Sequence, residues 1–388
     1  MTIAKKLLSP LTIVYVVFFF FSLHIALPTY INSTFLQTFV SEKYIGLIFT
    51  ASSLLAIVAL IIVPKLLRLV GDYFATALFL VLEIAAFIGI AALKNPAAII
   101  ALFLISQALI TLISFDLDLV VERYSKHSQT GSIRGLYLTS ANVAWVGAPA
   151  LAGFLLAGGA YWRVYVVSSL VLIPTLLLFT GALNRFKDPL YRTIHFKHAA
   201  GLVWRSKNLR SIFLSSALLS VFFMIMVIYT PLYLHEHLGF AWGRLGIMFS
   251  FMLLPFLLLE APLGRIADKM LGEKELLTAG FIIMALTTTA ITFVGNASFV
   301  VFGLLLFGTR VGATCVEIMT ETYFFKKVGS EDAQIISLQR TLRPLMGILG
   351  PLVATALLYF IPLRMLFLAL GILMLFGVPL ALGIKDTR

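Results

Sequence analysis

The sequence predicts an all-α membrane protein, with twelve transmembrane helices in two six-helix halves. Three observations predict it. The 388 residues are 61% hydrophobic and only 12% charged, with a mean hydropathy of +1.03. Soluble domains carry about 25% charged residues and need them to cover their surface. Twelve apolar stretches each approach or exceed the roughly 20 residues that cross a bilayer as a helix. One long polar segment, 184–210, divides them into two sets. It holds Arg185, Lys187, Arg192, Lys197, Arg205, Lys207 and Arg210 against a single acid, Asp188.

The expected spans are 11–32, 44–63, 73–93, 97–121, 133–158, 163–183, 211–234, 243–262, 276–295, 298–322, 333–360 and 363–383. Lys5 and Lys6 precede the first. That run is too long for a signal-peptide core and lacks a small-residue cleavage site, so it is expected to stay as a helix. Residues 1–183 and 211–388 form the two halves and 184–210 the linker. All other connections are short, so consecutive helices are antiparallel neighbours, with no room for a separate soluble domain. Of the Lys and Arg in connections and termini, only Lys43, Lys94, Arg163, Arg244 and Arg364 fall on one side. The rest fall on the other, which puts both termini in the cytoplasm of a plasma membrane, the bacterial inner membrane. The net charge of +12 reflects that loop bias and implies no nucleic-acid partner. Cys315 is the one cysteine, so neither a disulfide framework nor a cysteine metal site is expected. His235-Glu236-His237 lacks a third ligand. No metal or cofactor is assigned.

The halves repeat each other. Pro28-Thr-Tyr30 returns as Pro231-Leu-Tyr233, and Gly46-Leu-Ile-Phe-Thr50 as Gly246-Ile-Met-Phe-Ser250. Asp118-Leu-Val-Val-Glu122-Arg-Tyr124 returns as Glu317-Ile-Met-Thr-Glu321-Thr-Tyr323, and Pro149 falls opposite Pro351. Matches in order at nearly constant offset indicate a parallel duplication about an axis along the membrane normal, with a cavity between the halves.

The loop after the eighth span reads Gly264-Arg-Ile-Ala-Asp268-Lys269-Met-Leu-Gly272-Glu-Lys274. It resembles the G-x-L-x-D-R-x-G-R-[RK] loop signature of the major facilitator superfamily. Gly264, Asp268 and Lys269 match, Ile266 stands for Leu, and one residue is inserted before Gly272. The first-half copy, Pro64 to Asp72, is eroded: Pro64 replaces the first Gly and Arg68 stands at the Asp position, while Gly71 matches. The resemblance implies a secondary transporter whose first, fourth, seventh and tenth helices line the path. It also implies that this loop latches the cytoplasmic side, with Asp268 and Lys269 in the second half and Arg68 in the first. The Gly147-Ala-Pro149-Ala-Leu-Ala-Gly153 stretch partly resembles the fifth-helix signature of superfamily antiporters and leans toward export. Close packing of small residues with a kink is the stronger reading.

Ionisable groups in hydrocarbon are costly, so they face a cavity or a partner. Asp116 sits mid-depth in the fourth span, with Asn142 and Trp145 available in the fifth. A buried carboxylate short of partners can load and release a proton, making Asp116 the first candidate for proton coupling. Glu317 shares a depth with Arg340 and Arg343, which predicts an ion pair and a coupling or gating role. Glu260 and Glu321 join the gating set. His24, Arg310, Asn142, Trp145 and Tyr229 are the substrate-binding candidates; a lone His24 reads more readily as a structural hydrogen-bonder. Glu83 lies mid-span in the third helix, which the resemblance puts outside the cavity. It reads equally as a functional carboxyl or as a packing group.

The expected function is proton-coupled export of a small amphipathic organic compound by alternating access, by a monomer in the lipid bilayer. The alternative is proton-coupled uptake of an organic anion held by Arg310. No G-x-x-x-x-G-K loop exists for ATP. A membrane enzyme or sensor is disfavoured: the sequence shows no nucleophile–base pairing and no soluble effector domain.

Overall fold

In a computed structural model the chain is described over residues 10–124, 130–156, 158–182, 196–267, 272–295, 298–328 and 333–385. The helices are α1 (Pro10–Thr29), α2 (Asn32–Gln37), α3 (Glu42–Val70), α4 (Asp72–Ala92), α5 (Pro96–Tyr124), α6 (Thr130–Leu155) and α7 (Tyr161–Ala182). Then follow α8 (Phe196–Arg205), α9 (Lys207–Leu232), α10 (Trp242–Leu258), α11 (Glu260–Ile266), α12 (Glu273–Phe293), α13 (Phe299–Lys327), α14 (Ala333–Leu358), α15 (Leu363–Leu375) and α16 (Gly377–Leu382). A π-helical turn, Tyr233–His237, extends α9.

Each of the twelve expected spans corresponds to one helix or one interrupted helix. Among the described residues 11 are long and apolar enough to cross a membrane. The remaining expected span, the fifth, is the 26-residue α6. The chain is therefore a multi-pass α-helical membrane protein. Starts of equivalent helices stand 200 residues apart at α3 and α10, 201 at α4 and α12, and 203 at α5 and α13, so the duplication is written in the helices themselves.

Two compact units result, Met1–Tyr191 with Ala241–Ser250, and Arg192–Phe240 with Phe251–Arg388. In the first, Val17 and Phe21 of α1 pack with Phe79 and Leu80 of α4, Ile113 of α5 and Leu172 of α7. In the second, glycines bring α12 and α13 together: a Cβ on Gly312 would stand 2.6 Å from the Gly280 carbonyl oxygen. Part of the expected linker is ordered. Residues 196–205 form α8, packed on α9 and α14, with Val203 buried and Trp204 exposed. The seventh span begins at Lys207, four residues before the expected start.

Both short loops turn on a glycine in the left-handed region, Gly71 (φ 80°) before α4 and Gly272 (φ 86°) before α12. A side chain there would be strained. An acid opens the helix that follows each, Asp72 and Glu273, and both are buried. A carboxylate is favoured beside the free N–H groups of a helix start. The loop arginine Arg68 lies on α3, its side chain outside the described residues, as do Asp268 and Lys269.

Candidate functional site

In the first unit a proline sets up the site. Pro28 lies inside α1 and has no N–H for the carbonyl four residues back, that of His24. The Ser168 hydroxyl of α7 takes that place, donating to the His24 carbonyl at 2.6 Å. Its one hydrogen is then used, so Ser168 Oγ faces His24 Nδ1 only as an acceptor, at 3.0 Å. The Ser168 carbonyl, a second acceptor, lies 3.0 Å from the same nitrogen. Nδ1 therefore carries a hydrogen. On the ring's other side Nε2 is 3.1 Å from Glu83 Oε1 on α4, and Ser106 of α5 donates to that oxygen at 2.8 Å. Glu83 Oε2 has no hydrogen-bond partner. Phe87 tilts against the imidazole with ring centroids 4.4 Å apart. His24, Glu83, Ser106 and Ser168 are all buried.

His24 is thus joined to Glu83, and the third span contributes to a polar site it was expected to stand outside. Periodicity could not show this, because α1 and α4 are apolar nearly all round and their facing sides carry no signature. Asp116, expected to be short of partners, is fully buried and accepts a hydrogen bond from Thr76 of α4 at 2.8 Å. Asn142 and Trp145 lie half-buried on α6.

In the second unit Arg310 sits near the middle of α13 and is 1% exposed. Its guanidinium carbon lies 5.5 Å from the Phe222 ring centre and 5.4 Å from that of Phe223. Aromatic faces attract such a cation but accept no ordinary hydrogen bond from it. Nε and Nη1 have no hydrogen-bond partner. Phe223 also packs beside Phe256, centroids 6.0 Å apart. Tyr229 is fully buried on α9.

Glu317, two turns further along α13, is under the charges of Glu321, Arg343, Glu260 and Arg310. The expected ion pair is not closed: among the described residues no salt bridge joins Glu317 to Arg340 or Arg343. Both arginines are exposed on α14, and Glu321 is exposed on α13. Arg343 therefore acts on Glu317 through space. The closed pair of this unit is elsewhere. Lys326, in the last turn of α13, reaches the buried Glu273 of α12 at 2.8 Å. Sequence reasoning missed this pair; the available signal was an acid directly after a loop glycine, which also marks Asp72.

Known proteins give this geometry a family. No curated protein matches the chain by sequence. Among solved structures, a mutant of the nucleoside transporter NupG superposes with a TM-score of 0.74 at 11% identity, covering 95% of this chain and 98% of that one. A POT family transporter in complex with 5-aminolevulinic acid superposes with a TM-score of 0.77 at 13% identity, covering 95% of this chain and 94% of that one. At these identities the likeness is one of fold. The family model described as Major Facilitator Superfamily matches residues 11–333. With twelve helices in duplicated sets of six and a matching family model over most of its length, this chain belongs to the major facilitator superfamily.

Proposed function

We propose that the chain is a secondary active transporter of the plasma membrane, working by alternating access as a monomer, and that its substrate is a small organic anion held by Arg310. One observation carries the substrate class: a guanidinium buried to 1% exposure with two nitrogens that have no acceptor. Leaving donors of a buried charge unfilled costs several kcal/mol. Such a cost is kept where an incoming carboxylate or phosphate fills them. The ring faces of Phe222 and Phe223 hold the cation in place without using those donors.

A second reading, export of an amphipathic ring compound, draws support from the same aromatic wall of Phe222, Phe223 and Phe256. Proteoliposomes separate the two. The probes are 5-aminolevulinic acid and benzoate, each with a carboxylate, and uridine, which has none. A pH gradient is imposed in either direction. The anion reading expects the carboxylate probes to move, with a loss of about 10- to 100-fold in Arg310→Gln, the worth of hydrogen bonds to a charged group. Arg310→Lys should recover part of this, since lysine keeps the charge without the fork. Transport of uridine or a cationic dye alone, unaffected by Arg310→Gln, would discard the anion reading in favour of the second.

A further inference from the structure

The first unit contains a buried acid–base pair that the substrate reading leaves unused. We infer that His24 and Glu83 form a one-proton site, a proton-binding site built from α1, α4, α5 and α7.

The count follows from the hydrogen bonds. Nδ1 of His24 already carries a hydrogen, because both groups it faces on Ser168 are acceptors. Only the 3.1 Å contact between Nε2 and Glu83 Oε1 is open. Two bare acceptors there would repel, and two hydrogens would collide. One proton therefore occupies the link. It sits on Nε2 as imidazolium facing carboxylate, or on Oε1 as a carboxyl donating to neutral imidazole. Either way the pair is neutral overall, which is the condition for burying it so completely. Transfer between the two forms breaks one N–H bond, makes one O–H bond and moves no net charge. Release breaks the same bond, leaves its electron pair on the residue and sends the proton to water, so the pocket keeps one negative charge.

The surroundings supply no other charge. α5 presents Ser106, and α7 presents Ser168 and, a turn before it, Tyr165. The Tyr165 hydroxyl is engaged with Asn32 at 2.8 Å, and its ring packs on Phe87. His24 is the only charged group that acts on Glu83 among the described residues. Asp116 and Asp118 lie ten and twelve residues along α5 from Ser106, about 15 to 18 Å away at 1.5 Å per residue. On α3, Glu42 and Lys43 stand at one end and Lys65 near the other. The described part of α6 carries no titratable side chain. A proton leaving this pair has no neighbouring cation or acid to replace it. Emptying the site therefore puts an uncompensated charge at full burial, and the pair keeps α1 closed on α4 and α7 only while the proton is bound.

The proton itself is the probe, so the test needs no transported compound, and its failure is distinct from failure of the anion reading. Proton binding by the full chain in lipid nanodiscs is titrated from alkaline to acidic pH for wild type and variants. Glu83→Gln keeps an acceptor for Ser106 and gives an N–H to neutral imidazole, so it preserves the network without the proton. Wild type should take up about one proton per chain more than Glu83→Gln, and His24→Gln should take up that proton at a different pH. Superposable curves for wild type and Glu83→Gln, or an uptake unmoved by His24→Gln, would overturn the site. Should Glu83→Gln fail to fold, Ser106→Ala removes one hydrogen bond from Oε1 and no titratable group. Its uptake midpoint must then shift from that of wild type, and an unchanged midpoint is equally fatal.

Discussion

Pro28 and Ser168 act as one device at the scale of single residues. The proline withholds an N–H from the His24 carbonyl, and the serine hydroxyl replaces it at 2.6 Å. Ser168→Ala should therefore cost about 1 to 3 kcal/mol, the penalty for a buried acceptor left bare. It should cost less in a Pro28→Ala background, where the helix supplies its own N–H. Thermal unfolding of the four proteins in one detergent measures the coupling, and equal costs in both backgrounds would dissolve the link. Arg310 shows the opposite balance. Its unfilled donors burden the empty protein, so Arg310→Met should leave the melting temperature unchanged or raise it while abolishing carriage of anions. A marked drop in melting temperature would mean that the guanidinium is structural.

Helix packing decides the next scale. α12 and α13 meet through Gly280 and Gly312, where each added Cβ would fall within 3 Å of the other glycine's carbonyl oxygen. Gly312→Val forces the helices apart and should cost about 1 to 3 kcal/mol. Gly147→Ala on α6, where nothing stands within 4 Å, should be neutral in the same unfolding assay. The helices were legible because hydropathy alone marks a span, and the expected duplication reappears in the spacing of helix starts. The loops were legible only in part. Sequence matching drew attention to Asp268 and Arg68, while the structure places buried acids at Asp72 and Glu273, directly after the left-handed glycines. Composition shows that a turn exists, but the acid that caps the following helix depends on which glycine takes positive φ.

Across the whole molecule, the membrane and family followed from averages over many residues, which tolerate local error. The site did not. Glu83 looked peripheral because its helix is apolar nearly all round, and Asp116 looked short of partners because a hydroxyl one helix away cannot be seen in a linear pattern. Orientation rests on a distributed signal, the crowding of Lys and Arg into alternate loops. A reporter fused after Arg388 should report the cytoplasm, and an external signal would reverse the assignment.

The buried pair also has a consequence for biosynthesis. His24 enters the membrane with the first helix, yet Glu83 comes 59 residues later and Ser168 comes 144 residues later. Until the sixth of the twelve spans leaves the ribosome, a carbonyl without its helical N–H and an imidazole without its acceptor sit in the bilayer. The first helix is therefore a provisional tenant of the lipid, settled only when the last helix of its own half arrives. Nascent chains arrested before residue 161 should remain associated with the insertion machinery, and chains arrested after 182 should be released from it.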